Sequence, residues 1–337
     1  MELKVINNRG RWNKFIESYE FSHAFQLYEW GEIKKAQGWK PVRLGLLDKN
    51  ENIIAGAQIL FKNLPLSLKI AQIPFGPVLD YHNNKILKKF FSELHQFIKS
   101  KKYLLVLFEP YLIADKNIKI PYVNPSLNQL YYRHTILINL NESEKNIFCN
   151  FRKTYQNEIR QAQKMDIRIV EKNTIDGINE FYKMYVLTYQ KTKRTPLPKK
   201  IFDNMVTPWF PSGKARLFFS EYNHQKISAA LILYSGKNCI YMFAASVINI
   251  DLNKLHGQKL LIWHIIKNAQ NNGYHFFDLG GVNPYAKPKS KGYGIFFFKM
   301  GFGRNLIEFI PTQEMGFNKL LMRLSSLLLK IRSKIKT

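Results

Sequence analysis

The chain has 337 residues, 46% hydrophobic and 14% aromatic, which excludes a disordered tract and at this length favours two domains with full cores. Lysine and arginine number 51 against 24 acidic residues, a formal charge of +27, so a polyanion is the expected partner: nucleic acid, a phosphate-rich substrate or an anionic membrane. Only Cys149 and Cys239 are cysteines, without zinc-site spacing, and no apolar run reaches the ~18–20 residues of a span or forms a signal core, so a cytoplasmic protein is expected.

The apolar periodicity predicts a strand at Leu3–Ile6, then helices near Gly10–Ser18 and Leu27–Lys35. Strands follow at Val42–Leu47, Ile53–Phe61 and Lys69–Gln72, with Lys49-Asn-Glu-Asn52 as the first turn. An amphipathic helix Lys85–Lys101, a buried-type strand Tyr103–Phe108 and a strand His134–Leu140 end the first half. In the second half a strand Asp166–Glu171 precedes helices near Ile175–Thr188 and Pro198–Met205. Strands Arg216–Glu221, Lys226–Tyr234 and Cys239–Ala245 lead to a helix Leu255–Asn271 and to strands His275–Leu279 and Leu306–Ile310.

The same order of elements thus occurs twice, offset by about 170–175 residues. Strand, two helices, three antiparallel strands, helix, strand, strand is the order of the GNAT acyltransferase fold. The fold class is therefore α/β (α+β), with two GNAT-like domains in one chain. A basic helix joins them, with Asn141 and Glu144 read as a capping box before Lys145, Arg152, Lys153, Arg160 and Lys164. The tail 317–337 places leucines and isoleucines at helical spacing among six basic and no acidic residues. It suits either an anionic membrane interface or a closing helix packed on the first domain.

Several segments resemble the Fem family (FemABX) of peptidoglycan-bridge aminoacyltransferases. They are Phe25-Gln-Leu-Tyr-Glu-Trp30 with Lys34 and Gly38-Trp39, Gly76-Pro-Val-Leu-Asp80, Glu109-Pro110, His134-Thr135 and Asn157-Glu-Ile-Arg160. Asp278-Leu-Gly-Gly281 and Phe298-Lys299 with Gly301-Phe-Gly303 complete the series, whose order spans nearly the whole chain. The resemblance implies two GNAT-like domains and transfer of an amino acid from aminoacyl-tRNA to a stem-peptide amine of lipid II or UDP-MurNAc-pentapeptide. It is to the compact type without a long coiled-coil arm. The expected division is residues 1–141 with 313–337 for precursor binding, and 142–312 for the aminoacyl-tRNA side and catalysis. No cofactor is expected, because the tRNA ester is already activated, and a monomer on the inner face of the plasma membrane is the expected state.

The resemblance also implies the site residues. Lys299 would stand beside the ester carbonyl and stabilise its oxyanion, or grip terminal tRNA phosphates; the plain alternative is a lysine snorkelling from a strand end. Phe298 would stack on the terminal adenine, while Phe296 and Phe297 are read as core. Lys34 and Trp39 would hold the nucleotide or diphosphate end of the precursor. Asp80 is either a contact to the precursor near its amine or a turn cap. Glu109, where the family pattern has aspartate, would orient or deprotonate the amine. Tyr241 would line the acceptor cleft, and Arg194 (or Lys193) would grip phosphate. The eight histidines show no metal-ligand spacing, so no metal is expected. Leu255-His-Gly-Gln258 replaces the glycine-rich turn that binds coenzyme A. The rival expectations are a GNAT-related acyltransferase with another acceptor, and a non-catalytic tRNA- or membrane-binding adaptor.

Overall fold

The computed structural model describes residues 1–63, 69–103, 105–126, 129–192, 194–290 and 292–316. The tail predicted as an amphipathic helix, and Lys193, lie outside the described residues. The chain forms two compact units, one made of Met1–Arg133 with the segment from Glu308 onward, the other of His134–Ile307.

The elements in chain order are β1 (Glu2–Val5), α1 (Arg9–Glu17), α2 (Tyr28–Lys35), β2 (Lys40–Leu47), β3 (Ile53–Asn63), β4 (Lys69–Ile73), β5 (Val78–Leu79), α3 (Asn84–Ser100), β6 (Leu105–Phe108) and β7 (Asn124–Pro125). Then come β8 (His134–Asn139), α4 (Glu144–Cys149), α5 (Lys153–Gln163), β9 (Arg168–Glu171), α6 (Ile175–Lys191), α7 (Lys199–Trp209), β10 (Ala215–Tyr222), β11 (Gln225–Ser235) and β12 (Asn238–Ser246). The last are α8 (Ile250–Lys254), α9 (Gly257–Asn271), β13 (Phe276–Val282), α10 (Tyr293–Lys299), β14 (Leu306–Glu308) and β15 (Gln313–Gly316).

The sheets run β1-β2-β3-β4-β6-β15-β7, with β5 on β3, and β14-β8-β13-β12-β11-β10-β9. Each contains a parallel pair, β4 with β6 and β12 with β13, at the same point of the repeat. The strand at His134, which closes the first half in sequence order, pairs antiparallel with β13 in the second sheet. Its Ile136 and Ile138 pack into that core with Phe277. In the first sheet the corresponding neighbour of β6 is β15, a short strand the periodicity does not announce.

Each sheet carries a long helix. Asn83 caps α3 by accepting from the Ile86 amide, and Leu87, Phe90, Phe91, Leu94 and Ile98 form one buried stripe against the strands. At about 1.5–3 kcal/mol per large apolar side chain, this stripe alone stabilises the unit substantially. Helix α9 is buried nearly all round because the sheet lies on one side and α5 on another. A Cβ at Gly257, its first residue, would stand 2.9 Å from Ser220 Oγ and 3.0 Å from Ile227 Cδ1, so only glycine lets the helix start this close to the strands.

The predicted linker helix is two helices. Ser143, not Asn141, caps α4 by accepting from the Asn146 amide, since the Asn141 amide is turned back onto Asn139. Arg152 then takes an extended conformation between α4 and α5 and donates its amide to the Gly301 carbonyl at 2.8 Å.

Candidate active site

In the second unit β12 and β13 pair through only three residues, Asn238, Cys239 and Ile240 against Phe276, Phe277 and Asp278. Beyond them the strands part, and β12 bulges at Met242. A strand edge left without its neighbour has backbone donors and acceptors to offer a ligand. The opening is a cleft of about 300 Å³. Tyr241–Ser246 line one wall, Thr188, Tyr189, Thr192 and Arg194 another, and α10 supplies Ile295, Phe298 and Lys299.

Lys299 stands on the last turn of α10, a helix where the aromatic run reads as a strand end. Its Nζ donates to the carbonyls of Gly280 at 2.9 Å and Gly281 at 3.1 Å. It forms no ion pair among the described residues. Desolvation lowers its pKa to about 8, Asp278 opposes that shift and Arg194 adds to it. Asp278 is buried and accepts from the Thr135 hydroxyl and from the Gly280 amide, the latter at 2.7 Å. An ammonium has three donors, so two are spent on carbonyls and one remains. Gly280 makes the approach possible: its φ is +77°, and a Cβ there would lie 3.0 Å from the Tyr241 carbonyl and 3.4 Å from Lys299 Nζ. Gly301 has a separate reason, because a Cβ would collide with the Tyr155 ring.

The structure thus gathers Lys299, Phe298, Tyr241 and Arg194 around one cleft. Phe298 is half-buried and meets Phe302 edge-on at 5.3 Å. The Tyr241 phenol is buried beside Gln258, and burial pushes its pKa well up. Arg194 donates its amide to the Tyr189 carbonyl, its guanidinium 5.9 Å from that ring. Phe296 packs against the core as expected, whereas Phe297 is 49% exposed. Helical rather than extended geometry rotates Phe297 to the outer side of α10.

The remaining candidates belong to the first unit. Asp80 lines a different cleft, of about 600 Å³, with Tyr19, Phe75, Tyr111 and Asp115. Its Oδ1 also accepts from the His82 amide at 2.9 Å, so the turn-capping role is present too. Glu109 is buried, and its Oε1 accepts from the Thr312 hydroxyl and from the amides of Leu130 at 3.0 Å and Tyr131 at 3.1 Å. Burial raises its pKa and these three donors hold it down in part. In this structure the carboxylate holds the loop before Arg133.

Lys34 and Trp39 flank a second cation that the sequence does not single out. Lys34 Nζ lies 4.7 Å over the Trp30 ring and donates to Gln37 Oε1, while Lys62 Nζ lies 5.1 Å over Trp39 and donates to the Gln37 carbonyl. Desolvation, then repulsion from Lys62, lowers the Lys34 pKa to about 8. The Gln37 Nε2 is buried without a hydrogen-bond partner among the described residues. Phe25, stacked on Trp30 at 3.7 Å, and the buried pair Gln26 and Gln58 hold this corner together. Asp278, Gly280, Gly281, Thr135, Phe25, Gln26 and Trp30 stand in the quoted motifs without an assigned role, whereas Lys62 carries no local signal.

Comparison with known proteins bears on this arrangement. Residues 8–129 match the model of the FemAB family, and residues 150–288 match the model of the GNAT acetyltransferase domain. The lipid II:glycine glycyltransferase of Staphylococcus haemolyticus is 20% identical over 96% of this chain and 95% of its own. The crystal structure of FemX superposes with a TM-score of 0.88 at 18% identity, covering 97% of this chain and 100% of that one. The chain therefore has the fold of FemX over nearly its whole length and carries the FemAB family match in its first part. The UDP-N-acetylmuramoylpentapeptide-lysine N(6)-alanyltransferase of Weissella viridescens is 21% identical over 81% of this chain and 83% of its own length. The mixed α/β fold with GNAT-type architecture is as the element order implies. Among the described residues, no helix is long and apolar enough to cross a membrane, and no group of three or more His, Cys, Asp and Glu is placed to hold a metal.

Proposed function

We propose that this chain is an aminoacyltransferase that moves an amino acid from aminoacyl-tRNA to the stem-peptide amine of a peptidoglycan precursor, lipid II or UDP-MurNAc-pentapeptide. The observation that carries this reading is the desolvated Lys299 ammonium, fixed by two carbonyls with one donor to spare, in the cleft it shares with Tyr241, Phe298 and Arg194. The names of the relatives support the acceptor class.

The uncharged amine attacks the ester carbonyl, forming a C–N bond and a tetrahedral oxyanion. Collapse breaks the C–O ester bond, and a proton from the amine passes to the departing ribose oxygen. The third N–H of Lys299 meets the oxyanion as charge develops, where a fixed cation in a water-poor site is worth most. Positioning of the two reactants supplies much of the remaining rate. Asp80 is proposed to contact the precursor while its stem-peptide amine is still an ammonium, before that group gives a proton to solvent and attacks, and Lys34 with Trp39 to hold its diphosphate end. The ester is activated on arrival, so the reaction requires no cofactor. The tail is proposed to rest on the inner membrane face, with the protein a monomer.

A coenzyme A donor is disfavoured by one feature. At the start of α9, where such enzymes seat a diphosphate, the Glu158 carboxylate lies 2.6 Å from Lys259 and 3.8 Å from His256, placing negative charge where an anion would bind. The deciding experiment is incubation with a full set of charged tRNAs and either precursor, followed by mass spectrometry of the muropeptide. Extension by one or more residues is expected. Binding of both substrates without product would favour a non-catalytic adaptor and overturn the reading.

A further inference from the structure

Helix α10 has a second face with its own chemistry. Ile295, Phe298 and Lys299 turn toward the cleft. On the other side Tyr293 and Phe297, one turn apart, stack with ring centroids 6.1 Å apart and planes 28° off parallel. Phe297 is 49% exposed. Over it lies the Arg152 guanidinium, 3.9 Å from the ring centre, donating to the Phe297 carbonyl at 3.3 Å. Arg152 meets no carboxylate among the described residues. From 279 to 307 the sequence contains no acidic residue, and Lys287, Lys289 and Arg304 are exposed in the loops around α10. Tyr285 in the same segment is 78% exposed.

An exposed ring costs free energy unless something covers it, and an arginine held flat on that ring keeps its charge for an anion. A flat aromatic surface next to uncompensated cations suits unpaired bases on a phosphate backbone, because every base has a π-face and every linkage a negative charge. We infer that Tyr293, Phe297 and Arg152 form a stacking platform for single-stranded RNA. The platform lies on the outer side of the helix whose inner side carries Lys299, so it would take the unpaired nucleotides preceding the one that bears the ester. This assignment rests on the proposed tRNA donor for its biological meaning, but not for its test.

The test is fluorescence anisotropy of a labelled single-stranded RNA tetranucleotide and of a hairpin with a four-nucleotide 3′ tail, using a blunt hairpin as control. Phe297→Ala, at an exposed position and checked for native circular dichroism, is expected to weaken the tetranucleotide and the tailed hairpin about tenfold while leaving the blunt hairpin unchanged. Arg152→Lys keeps the charge but not the planar stack, so it is expected to lower affinity while preserving the salt slope. Unchanged tetranucleotide binding by Phe297→Ala, or an equal loss for the blunt hairpin, overturns the platform. A Phe297-dependent affinity for phosphatidylglycerol vesicles that the tetranucleotide does not compete away overturns it in favour of a membrane contact. Should no charged tRNA support transfer while single strands still bind through Phe297, the platform stands and the transferase reading falls.

Discussion

Replacing Lys299 with methionine separates what this residue costs the fold from what it does for a reaction. Its pKa falls from 10.5 to about 8 on folding, which corresponds to a penalty of about 3 kcal/mol for keeping the ammonium charged at pH 7. Methionine removes that penalty but leaves the Gly280 and Gly281 carbonyls without their donor, a loss of about 1–3 kcal/mol. The two nearly cancel, so the variant is expected to match the wild type within about 2 kcal/mol at pH 7 by urea denaturation.

The pH dependence is the sharper readout. Between about 8 and 10.5 the unfolded lysine is protonated and the folded one is not, so the unfolded state binds more protons and wild-type stability rises with pH. Below about 8 the penalty is present in full; above 10.5 it is gone. The wild-type-minus-variant difference should therefore grow by about 3 kcal/mol across that window. Initial transfer rates, corrected for spontaneous ester hydrolysis, are expected to drop about 100- to 1000-fold in the variant. In the wild type they should decline above pH about 8, as the ammonium loses its proton. A rate that climbs through that pH in the wild type alone would mean the neutral amine acts as a base, and the oxyanion reasoning would be refuted.

Gly280→Ala forces a side chain onto a φ of +77° and against the Tyr241 carbonyl; a destabilisation of about 1–3 kcal/mol by denaturant titration is expected, together with reduced transfer. Glu109→Gln places an amide among three donors and should cost about 1–3 kcal/mol of stability, while kcat measured below the melting transition stays within about threefold of wild type if the carboxylate only anchors its loop. Asp80→Asn keeps a turn-capping acceptor for the His82 amide but loses the charge, so an acceptor KM raised about tenfold, with donor binding intact, separates substrate contact from turn capping. Lys34→Met should weaken binding of either precursor by roughly tenfold or more and flatten its salt dependence, read by calorimetry at two ionic strengths.

The repeated order of elements was legible because the long segments have strong periods: the stripe of α3 and the apolar runs of β3 and β11 read the same way in sequence and in space. Strand partnership was not. His134–Asn139 pairs with residues about 140 to 150 positions later, and nothing in six residues, four of them β-branched or apolar, specifies a neighbour that far away. The strand Gln313–Gly316 is short and half polar, so no alternation marks it. Three consecutive phenylalanines at Phe296–Phe298 suit a buried strand as well as a helix, which is why the exposure of Phe297 was invisible. Lys62 sits near the end of a strand, and its place beside Lys34 exists only once α2 and β3 are packed.

Lys299 was legible as a candidate, and the structure supplies the reason that sequence lacks. A lysine kept for stability is expected to meet a carboxylate, because burying an unpaired charge costs several kcal/mol. The acid beside it, Asp278, instead receives the Thr135 hydroxyl and the Gly280 amide, and the ammonium is left on two neutral carbonyls. Carbonyl dipoles aim the group without cancelling its charge, and Asp278 offsets that charge only in part, without an ion pair, so a positive field still reaches the cleft. That arrangement weakens the ground state and gains only when an anion forms nearby, and the tetrahedral oxyanion of ester aminolysis is such an anion.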